Sequence, residues 1–148
     1  MEEYVVCPVN GIIISLEQVP DEMFAKKMLG DGVAIEPKSM DWYAPIDGKI
    51  TVIYDTKHAI GITSDQGTEV LLHIGLDTYD LKGAPFEMKV KLYDQVNAGD
   101  PLVNVNLDMI KEKGYQAIAP IISTNKNIKR LKTEGEVKVG EALYMIEE

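Results

Sequence analysis

The chain holds only two histidines, His58 in TKHAIGIT and His73 in LLHIGLDT, and in both settings Ile and Gly follow within three residues. Each lies on a short run rich in Ile, Val or Leu and suited to a strand, and the intervening TSDQGTE, with Gly67, reads as a polar turn. Strand alternation puts His58, Ile60 and Ile62 on one face, and Leu71, His73 and Gly75 on one face of the next strand. A hairpin about the turn pairs Ile60 or Ile62 with residues near Leu71 and Leu72, which leaves the imidazoles in neighbouring rows where they can meet. A lone histidine on an apolar strand is more often a satisfied structural residue than a reactive one. Two of two converging on one place points to chemistry.

Three chemistries could use the pair. A zinc hydrolase takes three protein ligands and a water; only Asp77 or Asp80 offers the third, and no HxH or HExxH spacing occurs. General acid–base work by two imidazoles wants a cleft with polar anchors, which nothing else in the chain supplies. Nucleophilic catalysis needs a neutral imidazole held in one tautomer, one ring nitrogen attacking phosphorus while the other histidine stabilises charge on the phosphoryl oxygens. A protein donor would need an apolar rim and no nucleotide, in keeping with a chain that lacks a GxxxxGK[ST] loop.

The elements that must position these residues read as mostly strand. Short apolar runs (YVVCPVNGIIISL, GVAIEP, YAPIDGKITVIYDT, AIGIT, EVLLHIG, PLVNVN, IAPIIST, EVKVGEALYMI) are punctuated by Gly, Pro, Asn or Asp about every ten residues, the pattern of an all-β sandwich or barrel. Helix is minor: DEMFAKKMLG at 21–30 reads as one short helix, with LDMIKEKG and NKNIKRLK as further candidates. An internal repeat is more telling. CPVNGIII at 7–14 matches APIDGKIT at 44–51, and VNAGDPLV at 96–103 matches VKVGEALY at 137–144. Two similar halves should wrap into one barrel-like sandwich, with Asn-Gly and Asp-Gly supplying the positive φ of tight hairpins. Lipoyl and biotinyl carrier domains share such turns, but they need an exposed lysine in a setting such as MKM or DKA, and the only MK here stands in EMKV.

Size and charge narrow the classes. At 148 residues with 45% hydrophobic content, the chain fits one domain, 1–148, able to bury a core without staples. The single Cys7 has no partner for a disulfide and no metal spacing. A net charge of -9, broken only by KNIKR at 126–130, argues against nucleic acid or anionic membrane and leaves a basic protein partner as the electrostatic fit. The N-terminus lacks a basic n-region and is cut by Pro8 and Asn10-Gly11 before any membrane span forms, so a cytoplasmic protein without membrane insertion is expected.

The stretch TKHAIGITSDQGTEVLLHIGLDTYDLKGAPF resembles the signature of the glucose-type enzyme IIA domain of the bacterial phosphoenolpyruvate:sugar phosphotransferase system. The likeness runs across nearly the whole chain: PVNGIIISLEQVPDEMFAKKMLGDGVAIEP, APIDGKI and VNAGDPL fall where the family has them. It implies an antiparallel β-sandwich with a few short helices. It also implies that His73 accepts a phosphoryl group on Nε2 from phospho-HPr and passes it to a cysteine of a sugar-specific IIB domain. His58 would hold the phosphate and transition-state charge, Thr56 would orient His58, the Gly75 carbonyl would fix the His73 tautomer, and Asp77 would meet cationic partner groups. The docking ring would come from Phe24, Met28, Leu29, Tyr54, Leu71 and Tyr79. Of these, Phe24, Met28 and Leu29 are the better candidates for an exposed patch, and Leu71 reads as readily as core. Tyr54 and Tyr79 stand where other members carry Phe and Val, which makes the rim more polar. No cofactor is required by the resemblance; zinc could bridge His58 and His73 only with a carboxylate from a partner. A monomer is expected.

Overall fold

A computed structural model describes residues 2–147. Its strands are β1 (Tyr4–Val6), β2 (Gly11–Ser15), β3 (Asp31–Pro37), β4 (Asp41–Tyr43), β5 (Gly48–Ile53), β6 (Ala59–Thr63) and β7 (Glu69–His73) in the first half. The second half adds β8 (Phe86–Met88), β9 (Gln95–Val96), β10 (Pro101–Val105), β11 (Ala119–Ser123), β12 (Asn127–Arg130), β13 (Gly135–Val137) and β14 (Ala142–Glu147). Two short helices, α1 (Glu22–Ala25) and α2 (Leu107–Glu112), join them. Every pairing is antiparallel. The large sheet runs β13-β2-β3-β11-β7-β6-β5-β9, with two three-stranded sheets, β1-β14-β12 and β4-β10-β8. Side chains such as Ile35, Trp42, Ile50, Leu72, Leu102 and Tyr144 fill one core between them, all of them at most 1% exposed. This is the all-β antiparallel sandwich that the apolar runs predict.

The repeat is real and its two copies clasp each other. Val6 N–H donates to the Pro45 carbonyl and Tyr43 N–H to the Pro8 carbonyl, both at 2.8 Å. Each copy also grips its own second segment: Cys7 exchanges backbone bonds with Gly140 and Glu141 as Ala44 does with Gly99 and Asp100. Equivalent side chains complete the match, Asn10 Oδ1 accepting from Val139 N–H at 2.9 Å and Asp47 Oδ1 from Ala98 N–H at 2.6 Å. The expected positive φ at the two turn glycines is absent: Gly11 and Gly48 open strands without it. They are glycine because a Cβ would lie 2.2 Å from the Glu36 carbonyl oxygen or 2.4 Å from that of Thr63. Close backbone approach, not turn conformation, sets these positions.

One helix expectation is shortened and another fails, each for an identifiable reason. The 21–30 segment is helical only over Glu22–Ala25, since Lys27 adopts a left-handed backbone (φ 56°) that stops the turn. NKNIKRLK forms β12 instead of a helix. Its Ile128 pairs with Ile146 of β14 and is buried, and the Arg130 guanidinium reaches Asp31 on β3. Long-range pairing outweighs the local helical preference of its Lys and Arg residues. LDMIKEKG does form the expected helix, α2, capped by the Asn106 side chain, which accepts from Met109 N–H.

Candidate functional site

Both histidines lie at the open end of the β6–β7 hairpin, whose turn is closed by Ser64 N–H donating to the Thr68 carbonyl at 2.9 Å and by Gly67 at φ 85°. The register pairs Ile60 with Leu72, as counting outward from the turn suggests, and Ala59 with His73. Ile60, Ile62, Val70 and Leu72 face the core, while Ala59, Gly61, Leu71 and His73 line the opposite face. Strict alternation would therefore send His58 to the core side, across from Ile74. The strand begins only at Ala59, and Lys57 just before His58 holds a left-handed backbone (φ 60°). The ladder still continues one step, with Ile74 N–H donating to the His58 carbonyl at 2.6 Å. With alternation broken there, the two rings come within 4.9 Å centroid to centroid at an interplanar angle of 81°. The imidazoles meet, although by a route that the alternation reading did not contain.

Each Nδ1 is occupied. His73 Nδ1 lies 2.8 Å from the Gly75 carbonyl oxygen. A carbonyl only accepts, so Nδ1 carries the proton and the neutral ring keeps its lone pair on Nε2. His58 Nδ1 lies 2.5 Å from Thr56 Oγ1, a pair in which either atom can donate. When the hydroxyl donates, His58 presents Nε2–H as a donor. Gly75 is glycine for cause: its φ is 83°, and a Cβ there would sit 2.5 Å from Thr78 Cγ2 and 2.9 Å from the Gln116 carbonyl oxygen.

Burial sets the protonation of the pair. His58 is only 5% exposed, packed edge-on against Tyr54 and His73 and at a tilt against Tyr79. Its burial, with the neighbouring His73 charge adding to it, lowers its pKa from 6.5 to about 4. Half-buried His73 is also held below the ordinary value by burial; the Gly75 hydrogen bond and the carboxylates of Asp21 and Asp77 pull partly the other way. Both rings are thus neutral at physiological pH, the state a nucleophile requires. An NMR titration is expected to leave the His58 ring neutral across the mildly acidic range, with a midpoint at about 4. A midpoint at or above 6.5 would contradict the burial account. The linked stability has a definite sign: the unfolded chain takes up the proton first, so the contribution of His58 is complete above about pH 6.5 and is lost as pH falls through about 4.

The other expected residues divide. Thr56 and Gly75 bond the two rings as described. Asp77 is exposed beside His73, with a left-handed backbone (φ 60°). Tyr54 (46% exposed) and Tyr79 (49%) flank His58, Met28 (63%) and Leu29 (39%) are exposed just after α1, and Leu71 is half-buried. Phe24 corrects the expectation of an exposed residue. It is 3% exposed in a small second core with Leu16, Val19, Ala34, Leu76 and Ile122, and its ring meets His73 edge-on at 5.0 Å. It is a floor under His73, because the short helix turns Phe24 inward and leaves its neighbour Met23 exposed. Two residues were not singled out from sequence. Asp21 caps α1, accepting from Met23 N–H, and adds its negative charge near His73. Thr78, fully buried, donates to the Ile74 carbonyl at 2.5 Å. The capping pattern could have exposed the first; nothing local marks the second. Among the described residues no three His, Cys, Asp or Glu groups stand close enough to hold a metal ion.

The antiparallel sandwich and its two facing imidazoles are the fold and the pair that the sequence resemblance to an enzyme IIA domain implies. Residues 3–128 match the family model for the phosphoenolpyruvate-dependent sugar phosphotransferase system, EIIA 1, and the chain belongs to that family. It is 47% identical over 144 residues to the PTS system glucose-specific EIIA component of Mycoplasma capricolum subsp. capricolum, covering 96% of this chain and 94% of that protein. It is 41% identical to the glucose-specific EIICBA component of Staphylococcus carnosus and 44% identical to the beta-glucoside-specific EIIBCA component of Bacillus subtilis. Those alignments take in 96% and 97% of this chain but only 21% and 24% of the longer proteins, whose names join EIIA to EIIB and EIIC. The solved structure of glucose permease IIA from Mycoplasma capricolum superposes with a TM-score of 0.93 at 46% identity, over 98% of this chain and 96% of that one. Among the described residues no helix is long and apolar enough to cross a membrane.

Proposed function

We propose that this chain is a phosphoryl carrier of sugar uptake: His73 accepts the group from phospho-HPr and passes it to a cysteine of a IIB domain in a glucose-family permease. The supporting observation is the bond from His73 Nδ1 to the Gly75 carbonyl, which leaves Nε2 as the free lone pair. In the accepting step the N–P bond on the donor breaks as the bond to His73 Nε2 forms, and the donor imidazole recovers its electron pair. In the donating step the thiolate forms S–P as that N–P bond breaks. No water or nucleotide enters either step, and the apolar rim excludes the water that would hydrolyse the intermediate. His58 sits where an Nε2–H can meet the phosphoryl oxygens.

A groove of about 290 Å³ beside Tyr54, lined by Val52, Gly61 and Leu71 together with the polar Thr51, Glu69 and Thr124, offers a partner a surface next to the pair. Asp21 and Asp77 add negative charge near His73, in a chain of net charge -9, and suit a basic-faced donor. We place the protein in the cytoplasm as a monomer, with HPr and IIB as its partners. Two imidazoles fall short of the three protein ligands that zinc sites take, so zinc is expected only where another molecule supplies a carboxylate. Incubation with phosphoenolpyruvate, enzyme I and HPr should add the mass of one phosphoryl group, labile to acid and stable to base. A chain of unchanged mass, with the relay shown active on a known acceptor, would refute the reading.

A further inference from the structure

We propose that Thr78 is a positioning residue for His73: its buried side chain holds the turn whose Gly75 carbonyl decides which ring nitrogen stays free. The inference goes beyond the carrier reading and rests on it only for the transfer rate. Past Ile74 the chain leaves the ladder, and residues 74–76 are held by three separate bonds. Ile74 N–H donates to the His58 carbonyl at 2.6 Å, Thr78 Oγ1–H donates to the Ile74 carbonyl at 2.5 Å, and Leu76 N–H donates to the Gln116 carbonyl at 2.9 Å. Gly75 lies between them with φ 83°, its carbonyl 2.8 Å from His73 Nδ1.

Thr78 acts on this turn with both branches of its side chain. The hydroxyl takes the carbonyl immediately before Gly75. The methyl closes over Gly75 so tightly that a Cβ there would come within 2.5 Å of it. Apart from the His73 ring itself, the remaining bonds of the turn are made by backbone, so Thr78 supplies the side-chain part of its support. Fully buried at 0% exposure, it touches no partner or phosphoryl group and cannot be a docking or reacting residue. Without its hydroxyl the buried Ile74 carbonyl loses a donor, and the adjoining peptide is free to rotate the Gly75 oxygen away from Nδ1. His73 would then distribute its proton over both nitrogens. The same Ile74 residue bonds the His58 backbone, so one hydroxyl braces the link between the two histidines.

Thr78→Val replaces the hydroxyl by a methyl of similar size, and Thr78→Ser keeps the hydroxyl. Side-chain 15N NMR of the unphosphorylated full chain is expected to show His73 almost wholly Nδ1-protonated in the wild type and in Thr78→Ser, and a mixture of tautomers in Thr78→Val. Acceptance from phospho-HPr should slow by about tenfold in Thr78→Val and stay within about twofold of wild type in Thr78→Ser. A folded Thr78→Val with a single Nδ1–H tautomer and an unchanged rate overturns the proposal. Should Thr78→Val not fold, Thr78→Ser still decides: a tautomer mixture there means that the hydroxyl does not hold the turn. If the wild type accepts no phosphoryl group at all, the carrier reading falls, while the tautomer comparison still judges Thr78.

Discussion

Replacing His73 by Gln is expected to abolish phosphoryl uptake, a loss of more than about 10³-fold, while the fold survives. The glutamine amide has no lone pair on nitrogen available for attack, and no second nucleophile is placed to substitute. His58 is the only other imidazole, and it is buried against Tyr54 and Tyr79 with its Nδ1 engaged by Thr56. The core-facing half of the hairpin, Ile60, Ile62, Val70 and Leu72, does not involve the ring, so the variant should melt close to wild type. The measurement is phosphorylation from phospho-HPr followed by intact-protein mass, with circular dichroism as the folding control. Phosphate appearing on the variant at a comparable rate would place the acceptor elsewhere.

His58→Gln should divide the two half-reactions: acceptance remains within a few-fold of wild type, and donation to IIB falls by about 10²-fold. A glutamine amide can offer the N–H that His58 Nε2 offers, and acceptance brings a neutral imidazole to the phosphoryl group. Donation is different because the incoming nucleophile is an anionic thiolate approaching an already negative phosphoryl group. An imidazole can become an imidazolium there. Its pKa, held at about 4 by burial in the free protein, is drawn upward by a dianion within contact distance, whereas an amide never takes the charge. Rapid-quench measurement of each step separately checks this. Equal loss in both steps would remove the charge-bearing role from His58 and leave it only as a hydrogen-bond donor.

Much of this was legible in sequence for reasons that are local. Apolar runs of strand length, broken at regular intervals by Gly, Pro, Asn and Asp, specify an antiparallel β protein because the side-chain period and the turn chemistry agree. The segment AIGIT became β6 at its expected bounds and EVLLHIG became β7 over Glu69–His73, with the hairpin centred on the expected turn. The repeat was visible because both copies solve the same problem, placing a backbone-accepting Asn10 or Asp47 before a glycine that must lie against a neighbouring strand.

What the amino-acid sequence alone determined, then, was the β architecture, the twofold repeat, the hairpin and the candidacy of His58 and His73, with Thr56 and Gly75 implied by the family resemblance. Tertiary structure decided the rest. Left-handed Lys57 turns His58 onto the face of His73, where alternation would have sent it inward. Phe24 lies beneath His73 because a small core under α1 admits it, and NIKR is a strand because β14 offers it partners. Hydrophobic period and turn residues act over a few positions and can be read along the chain. The direction of a side chain at a broken strand end, or the burial of one aromatic on a four-residue helix, depends on surfaces brought up from distant segments.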